Sequence, residues 1–528
     1  MENYKIILFL CNWGAHTAYQ ALQDQGYRVP PEISTVRIPC TGRISKALLF
    51  KAFEMGADGV ALVGCKPGTC RYGVGTNSAI NFTDDTREIL AFLGLDKDRL
   101  QLVTFLPDEV DGLRNFLEMF CDEIRSFGKS SLMPTHKDLI KDDQAGTFAE
   151  ILAAHNAYGC QDCGKCTSSC PLALTGKQFS PRAIAGAVIA GDMNSKEIVE
   201  DIWSCLTCGI CYARCPSGVN FPDFICDIRA LVKSKDDGDS HQAHGGFFQS
   251  LMRSMTSPEM KTDRWSRLPK DVKLDDKSKI LFFGGCAPYF DTFFRNHLGV
   301  RTTDVLVDSL RLMNFFDVAP AVLKNERCCG HDLLWSGDRE NFLKLARLNI
   351  AMIAEMGIEE VVTACPECYR TLAMDYQRFG VDVGFKVTHI YEFLEQEIDK
   401  GAVTFNPPEK AMTFQDSCRM NSFDALKDLP RKLINRISPN QFEEMKDHKD
   451  VSMCCGSSAW TGCDAYSKAM QVNRLRQARE TGSNLMVTSC PKCQIHLQCA
   501  MEDPFQGNDL KMEVMDLTSV IRQTICWE

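Results

Sequence analysis

CQDCGKCTSSCP at residues 160–171 and CLTCGICYARCP at residues 205–216 are two copies of one pattern, and the rest of the chain is organised around them. Each reads C-x2-C-x2-C-x3-C-P, with Cys160, Cys163, Cys166, Cys170 and Pro171 in the first copy and Cys205, Cys208, Cys211, Cys215 and Pro216 in the second. The tight spacing lets one loop wrap a compact cluster, and in such runs the fourth cysteine ligates the other cluster. The pattern predicts one [4Fe-4S] cubane on Cys160, Cys163, Cys166 and Cys215, and a second on Cys205, Cys208, Cys211 and Cys170. Exchanging the fourth ligand forces the two halves together. Zinc is the alternative, but zinc sites usually show pairs of cysteines rather than a repeated triplet with Cys-Pro.

Outward from this core, SPRAIAGAVIAGD (residues 180–192) carries a serine cap with proline at the first helical position, so a helix should space the two cysteine runs. The polar segment 129–146, broken by Pro134 and Gly146, marks a domain boundary, which places the central domain at 147–235. A charged link at 233–246 leads into an amphipathic helix around Phe247 to Met255.

The 528 residues are enough for three or four domains, and 45% hydrophobic with 24% charged residues is ordinary globular composition. A formal charge of -10 argues against a nucleic-acid binder, whose footprint is a basic patch. No stretch reaches the length of a membrane span, so direct membrane insertion is not expected. The opening MENYKIILFLCNWG reads as a buried strand rather than an export signal, which points to the cytoplasm. In that compartment 27 cysteines argue for metal rather than disulfides. Twenty-two of them fall into regular motifs; Cys121, Cys226, Cys463, Cys499 and Cys526 are left over and are expected to be buried structural residues.

In residues 1–128 apolar runs (KIILFL, TVRIP, GVALVG, LQLVTFLP) alternate with helical patterns, the signature of a parallel sheet covered by helices. Leu113, Phe116, Leu117, Phe120 and Ile124 mark the buried face of a last helix. Cys11, Cys40 and Cys65 sit at the downstream ends of apolar runs and Cys70 in the next loop, where open sheets place ligands. All four can converge on one small cluster. YGVG (residues 72–75) lacks a phosphate-loop pattern and reads as a turn near it.

Residues 276–528 contain an internal repeat. The first copy, 276–400, has Cys286, the pair Cys328 and Cys329 before Gly330, and Cys365 and Cys368 in CPEC; the second, 401–528, has Cys418, Cys454 and Cys455 before Gly456, and Cys490 and Cys493 in CPKC. Each lone cysteine and each C-P-x-C follows a β-prone run, so the cysteines should gather at strand ends of two similar α/β halves facing a shared cleft. Five cysteines exceed the four thiolates of a cubane or a zinc site, which implies an unusual cluster, a reactive thiol, or a redox disulfide between the vicinal pair. His331, Trp335 and Trp460 follow the CCG turns; lining the cleft or donating a proton is set against ordinary packing and hydrogen bonding.

These motifs carry resemblances. CNW at 11–13, RIPCTGRI at 37–44 and GADGVALVGCKPGTCRYGVGTN at 56–77 resemble the delta subunit of the methyl-viologen-reducing (F420-non-reducing) hydrogenase, which implies a [2Fe-2S] relay on Cys11, Cys40, Cys65 and Cys70. That family usually has a cysteine three places after the first, and this chain has Gly14. The ferredoxin-like central region, with Phe179, Ser180, Pro181 and Arg182, resembles the C subunit of heterodisulfide reductase. The doubled CCG pattern resembles its B subunit, which implies two noncubane [4Fe-4S] clusters, on Cys286, Cys328, Cys329, Cys365 and Cys368 and on Cys418, Cys454, Cys455, Cys490 and Cys493, that flank and cleave a substrate disulfide.

The fold implied is α/β at both ends with a helical two-cluster domain between them. The function implied is an iron-sulfur electron-transfer and catalytic subunit of a flavin-based electron-bifurcating complex acting on a small disulfide. The partners implied are a flavin-bearing reductase A-like subunit and a hydrogenase or formate dehydrogenase, since this chain shows no flavin fingerprint. The alternative is a substrate-free relay, as in assemblies resembling benzoyl-CoA reductase or glycolate oxidase.

Overall fold

The computed structural model describes residues 4–134, 147–234, 241–401 and 403–527. Most of the boundary segment expected at 129–146, and the middle of the charged link, lie outside the described residues. The chain forms two compact units, Met1–Asp138 with His244–Ser266, and Leu139–Ala243 with Arg267–Glu528.

The first unit is built on a parallel sheet of β1 (Ile6–Cys11), β2 (Ile33–Ile38), β3 (Gly59–Gly64) and β4 (Leu100–Thr104), in the order β2-β1-β3-β4. The central strand β3 is buried along its whole length, as its unbroken apolar sequence requires. The last helix, Val110–Phe127, buries Leu113, Leu117, Phe120, Cys121 and Ile124, and Phe116 stacks on Phe120 at 5.5 Å. The apolar stretch before β4 belongs to a longer helix than its pattern shows, Gly75–Phe92, which starts at the YGVG turn.

The helix Phe247–Ser254 belongs to this unit, an assignment the linear order of segments did not give. It packs on the helix Lys46–Glu54, with the Phe50 and Phe247 rings 5.4 Å apart. Ser250 donates to Glu54, and Arg253 Nε donates to the same carboxylate at 2.6 Å. Burial opposes the charge on Glu54, yet the Arg253 guanidinium beside it holds the carboxyl below its usual range.

In the second unit the cysteine runs lie on short helical turns between longer helices. Ser180 caps the helix Pro181–Ala190 by accepting from the Ala183 N–H at 3.4 Å, the spacer helix expected from the sequence. The two halves of the repeat each contain a three-stranded parallel sheet: β5 (Ile280–Phe283), β6 (Glu360–Thr363) and β7 (Lys386–His389), then β8 (Met412–Gln415), β9 (Leu485–Thr488) and β10 (Glu513–Asp516). Their orders, β5-β6-β7 and β10-β9-β8, are one topology repeated, with the strand that leads into C-P-x-C in the middle of each. Among the described residues no helix is long and apolar enough to cross a membrane.

Burial corrects one expectation. Of the five left-over cysteines, Cys121 and Cys226 are buried, but Cys463 is exposed and Cys499 and Cys526 are half-buried. Cys499 instead accepts a hydrogen bond from Lys468 Nζ at 3.2 Å, because its helix face borders solvent.

Candidate functional site

At the strand ends of the first unit four thiols meet. Cys11 Sγ stands 3.5 Å from Cys65 Sγ, and Cys40 Sγ 3.8 Å from Cys70 Sγ. Burial, and then the thiols of Cys11, Cys70 and Cys40, push Cys65 up to about 12. Gly14 lies against the same group, since a Cβ there would stand 3.3 Å from the Cys65 sulfur. At Gly75 a Cβ would stand 2.6 Å from the Cys40 sulfur and 2.9 Å from the Cys70 sulfur, so only glycine lets the helix begin beside these thiols.

In the second unit the first cysteine run approaches the second through Cys170. Cys170, the fourth cysteine of the first run, lies within electrostatic reach of Cys208 and Cys205 of the second, and burial pushes it up to about 12. Cys170 and Cys205 belong to one buried core that continues into Cys454, Cys455, Cys490 and Cys493 of the second repeat, and the half-buried Cys208 and Cys211 pack against it. Cys208 in turn lies within electrostatic reach of Cys418 and Cys454.

Both five-cysteine sets assemble at strand ends. In the first, Cys286 and Cys328 stand 3.2 Å apart and Cys329 and Cys368 3.5 Å apart, with Cys365 hydrogen-bonded to Cys368. In the second, Cys418 joins Cys454, and Cys455 and Cys490 both join Cys493. Each vicinal pair is turned by a glycine in the left-handed region, Gly330 at φ +88° and Gly456 at φ +99°. A Cβ at Gly456 would also meet the Ser467 carbonyl oxygen at 2.7 Å.

The two sets face each other through the middle residues of their C-P-x-C motifs. Lys492 of CPKC pairs with Glu367 of CPEC at 2.7 Å and with Asp332, which follows the first CCG. All three side chains are nearly or fully buried, and Lys492 also lies over the Trp460 ring, 5.3 Å from its centre. His331, Asp332 and Glu367 could by position hold a cation, but Lys492 already supplies the positive charge there. Sequence spacing had singled out neither Lys492 nor Glu367; their shared x position in a duplicated motif was the available signal.

His331 is a buried, hydrogen-bonded histidine. Its Nε2 accepts from Arg419 Nε at 3.2 Å while Nδ1 bonds Thr371 Oγ1 at 3.0 Å. Burial first, then Arg419, Lys492 and Arg370, hold its pKa well below the ordinary value. Trp335 is fully buried beside it and stacks under the Arg419 guanidinium at 3.9 Å.

Three buried guanidiniums were not foreseen. Arg229 donates to the carbonyls of Ile202, Trp203, Cys205 and Trp335. Arg474 donates to Gln415 Oε1, Gln477 Oε1, the Asp447 carbonyl and Ser452 Oγ. Arg419 donates to the Thr207 carbonyl at 3.0 Å, Thr207 Oγ1 at 2.9 Å and Ser458 Oγ at 3.4 Å, besides His331. Every acceptor is neutral, and each of the three guanidiniums lies beside a cysteine set. Burying a cation without an anion costs several kcal/mol. Thiolate-bound iron-sulfur clusters carry net negative charge, so thiol sets flanked by buried guanidiniums fit the donor chemistry such clusters use; Arg474 also lies within electrostatic reach of Asp416 and Asp447, and Arg419 of Asp375.

Comparison with known proteins agrees. Residues 6–128 match the family described as methyl-viologen-reducing hydrogenase, delta subunit; residues 156–219 match the 4Fe-4S dicluster domain; residues 280–373 and 412–498 match the cysteine-rich (CCG) domain. The D subunit of the dihydromethanophenazine:CoB–CoM heterodisulfide reductase of Methanosarcina barkeri is 28% identical over 334 residues, 61% of this chain and 77% of that protein. The D subunit of the same reductase from Methanosarcina acetivorans is 26% identical over 397 residues, covering 69% and 93%. The B subunit of the fumarate reductase (CoM/CoB) of Methanothermobacter marburgensis is 26% identical over 379 residues, covering 68% and 71%. The chain thus joins, in order, a segment of the hydrogenase delta type, a 4Fe-4S dicluster domain and two cysteine-rich domains, and its relatives include subunits of heterodisulfide and fumarate reductases.

Proposed function

We propose that this protein is an iron-sulfur subunit of a heterodisulfide-reductase-like complex, carrying electrons to a paired site that reduces a small disulfide. The observation that carries the reading is the meeting of both five-cysteine sets across Lys492 and Glu367, with the Cys205–Cys211 run at their flank. A wire that ends between two facing thiol sets suits a two-electron acceptor.

The domains we assign are 1–128, 147–235, 276–400 and 401–528. In the first, Cys11, Cys40, Cys65 and Cys70 would hold a [2Fe-2S] cluster. In the second, Cys160, Cys163, Cys166 and Cys215, and Cys205, Cys208, Cys211 and Cys170, would hold two cubanes. Each CCG set would hold one noncubane cluster. Bound clusters would supply one-electron transfer along the chain and, at the paired sets, the two electrons that disulfide cleavage consumes with two protons to give two thiols. Lys492, fixed by Glu367 and Asp332, places an ammonium N–H donor between the sets, where thiolate charge would develop during cleavage. A flavin-bearing partner upstream, fed by a hydrogenase or formate dehydrogenase, completes the assembly, which is expected in the cytoplasm.

The deciding experiment is anaerobic oxidation of reduced viologen by the native complex against a panel of mixed disulfides. Substrate-dependent thiol release at catalytic rates is the expected result. Clusters that viologen reduces fully while no disulfide is cleaved would move the reading to an electron relay whose acceptor lies in a partner.

The N-terminal set has its own test. Gly75→Ala drives a methyl into the Cys40 and Cys70 sulfurs, so iron should fall by about two per chain while the four-iron signals persist. An unchanged iron content in this variant would remove the four thiols from the cluster assignment.

A further inference from the structure

Arg419 ties together three of the four cysteine groups of the second unit. It follows Cys418 of the second set in the chain, its Nη1 and Nη2 grip Thr207 between Cys205 and Cys208, and its Nε reaches His331, two residues beyond Cys329 of the first set. Only 4% of its surface is exposed, and among the described residues no carboxylate lies within ion-pair distance. Arg229, equally without a carboxylate, lies close enough to repel it. Two like charges held together in a dry interior need more anion than Asp375, which lies within electrostatic reach of Arg419 but already pairs with Arg370 at 3.4 Å; the other groups at hand are the Cys205–Cys211 run and the Cys418 set.

We propose that Arg419 is the positioning and potential-setting residue of the junction where electrons pass from the second ferredoxin-type set to the paired CCG sets. The inference rests on the cluster reading above. Its guanidinium holds the Thr207 loop against both CCG sets, and its permanent charge stabilises the extra electron that each neighbouring group accepts. Charge and hydrogen bonds near a cluster tune its potential, and an electron added beside a fixed cation in a low-dielectric interior is favoured. Among the described residues the guanidinium beside the Cys160–Cys166 run is that of Arg182, which is exposed and paired with Asp162 at 2.8 Å. The charge therefore acts on one end of the wire.

The test is a potentiometric titration followed by EPR on the iron-loaded complex carrying Arg419→Gln or Arg419→Lys. The signal of the Cys205 set is assigned by its loss in Cys208→Ala. Arg419→Gln should disfavour reduction of that set at least tenfold, a shift of about 59 mV to more negative potential for a one-electron couple. Arg419→Lys should recover more than half of the shift, and the Cys160 signal should stay in place. Full iron content with unmoved midpoints in Arg419→Gln overturns the proposal. Should that variant lose iron, Ser458→Asp leaves the guanidinium in place but pairs it, and an unmoved midpoint there overturns the proposal equally. Failure of the underlying reading is seen earlier and separately, as wild-type protein holding zinc with little sulfide, and the proposal falls with it.

Discussion

Cys329→Ala is expected to reduce disulfide-dependent thiol release by at least about a thousandfold, which is about 4 kcal/mol of transition-state stabilisation. Cys329 sits at the centre of its set, 3.5 Å from Cys368 and next in the chain to Cys328, which itself lies 3.2 Å from Cys286. Its removal breaks a link between the lone cysteine and the C-P-x-C pair. Iron should fall by about four per chain, from about 18 for four four-iron clusters and one two-iron cluster. The cubane signals of residues 160–215 should remain, because their ligands come from other segments. Cys463→Ala is the control: its thiol is exposed and outside every set, so iron and turnover should match the wild type. Iron analysis and thiol release on the two variants measure both effects. Equal turnover in Cys329→Ala and wild type would take the first CCG set out of the chemistry.

Lys492→Met should be the most damaging single change to the packing of the two repeats. It leaves Glu367 and Asp332 facing each other in the interior without their cation. Breaking a buried pair by deleting one partner costs about 3–5 kcal/mol, since the remaining charge keeps its desolvation cost and loses its attraction. Burial already pushes Asp332 up to about 7 with the lysine present. Hydrogen exchange of the helix Pro491–Met501 is the direct readout, because local opening at this interface exposes its amides. Protection there should fall by roughly a hundredfold or more. Lys492→Met combined with Glu367→Gln and Asp332→Asn removes the stranded charges and should restore most of it. Protection equal to wild type in the single variant would mean that the triad does not tie the two halves together.

Much of the site was legible because its thiols are local in sequence. C-x2-C and C-P-x-C place thiols within a turn of one another whatever the rest of the chain does, and apolar runs before Cys11, Cys65, Cys286 and Cys490 announce the strands that end at them. The glycine after each vicinal pair was equally readable, and the structure gives it the left-handed backbone that only glycine adopts without strain. Helix assignments fared well where a stripe was long, as at Val110–Phe127, and less well where a polar first turn hid the start, as at Gly75.

What stayed hidden is what the chain joins over long separations. The partners of Arg419 lie 88 and 212 residues away, and Lys492 meets Asp332 across 160 residues. No periodicity encodes such pairs, because a lone Arg or Lys in sequence looks like any solvated charge until the fold removes water from around it. The sequence by itself determined the cysteine sets, their order and the strands that carry them, since spacing and apolar runs act within a few residues. Only the tertiary structure decided which sets face one another and which buried cations stand between them, since burial and charge compensation are properties of the packed interior.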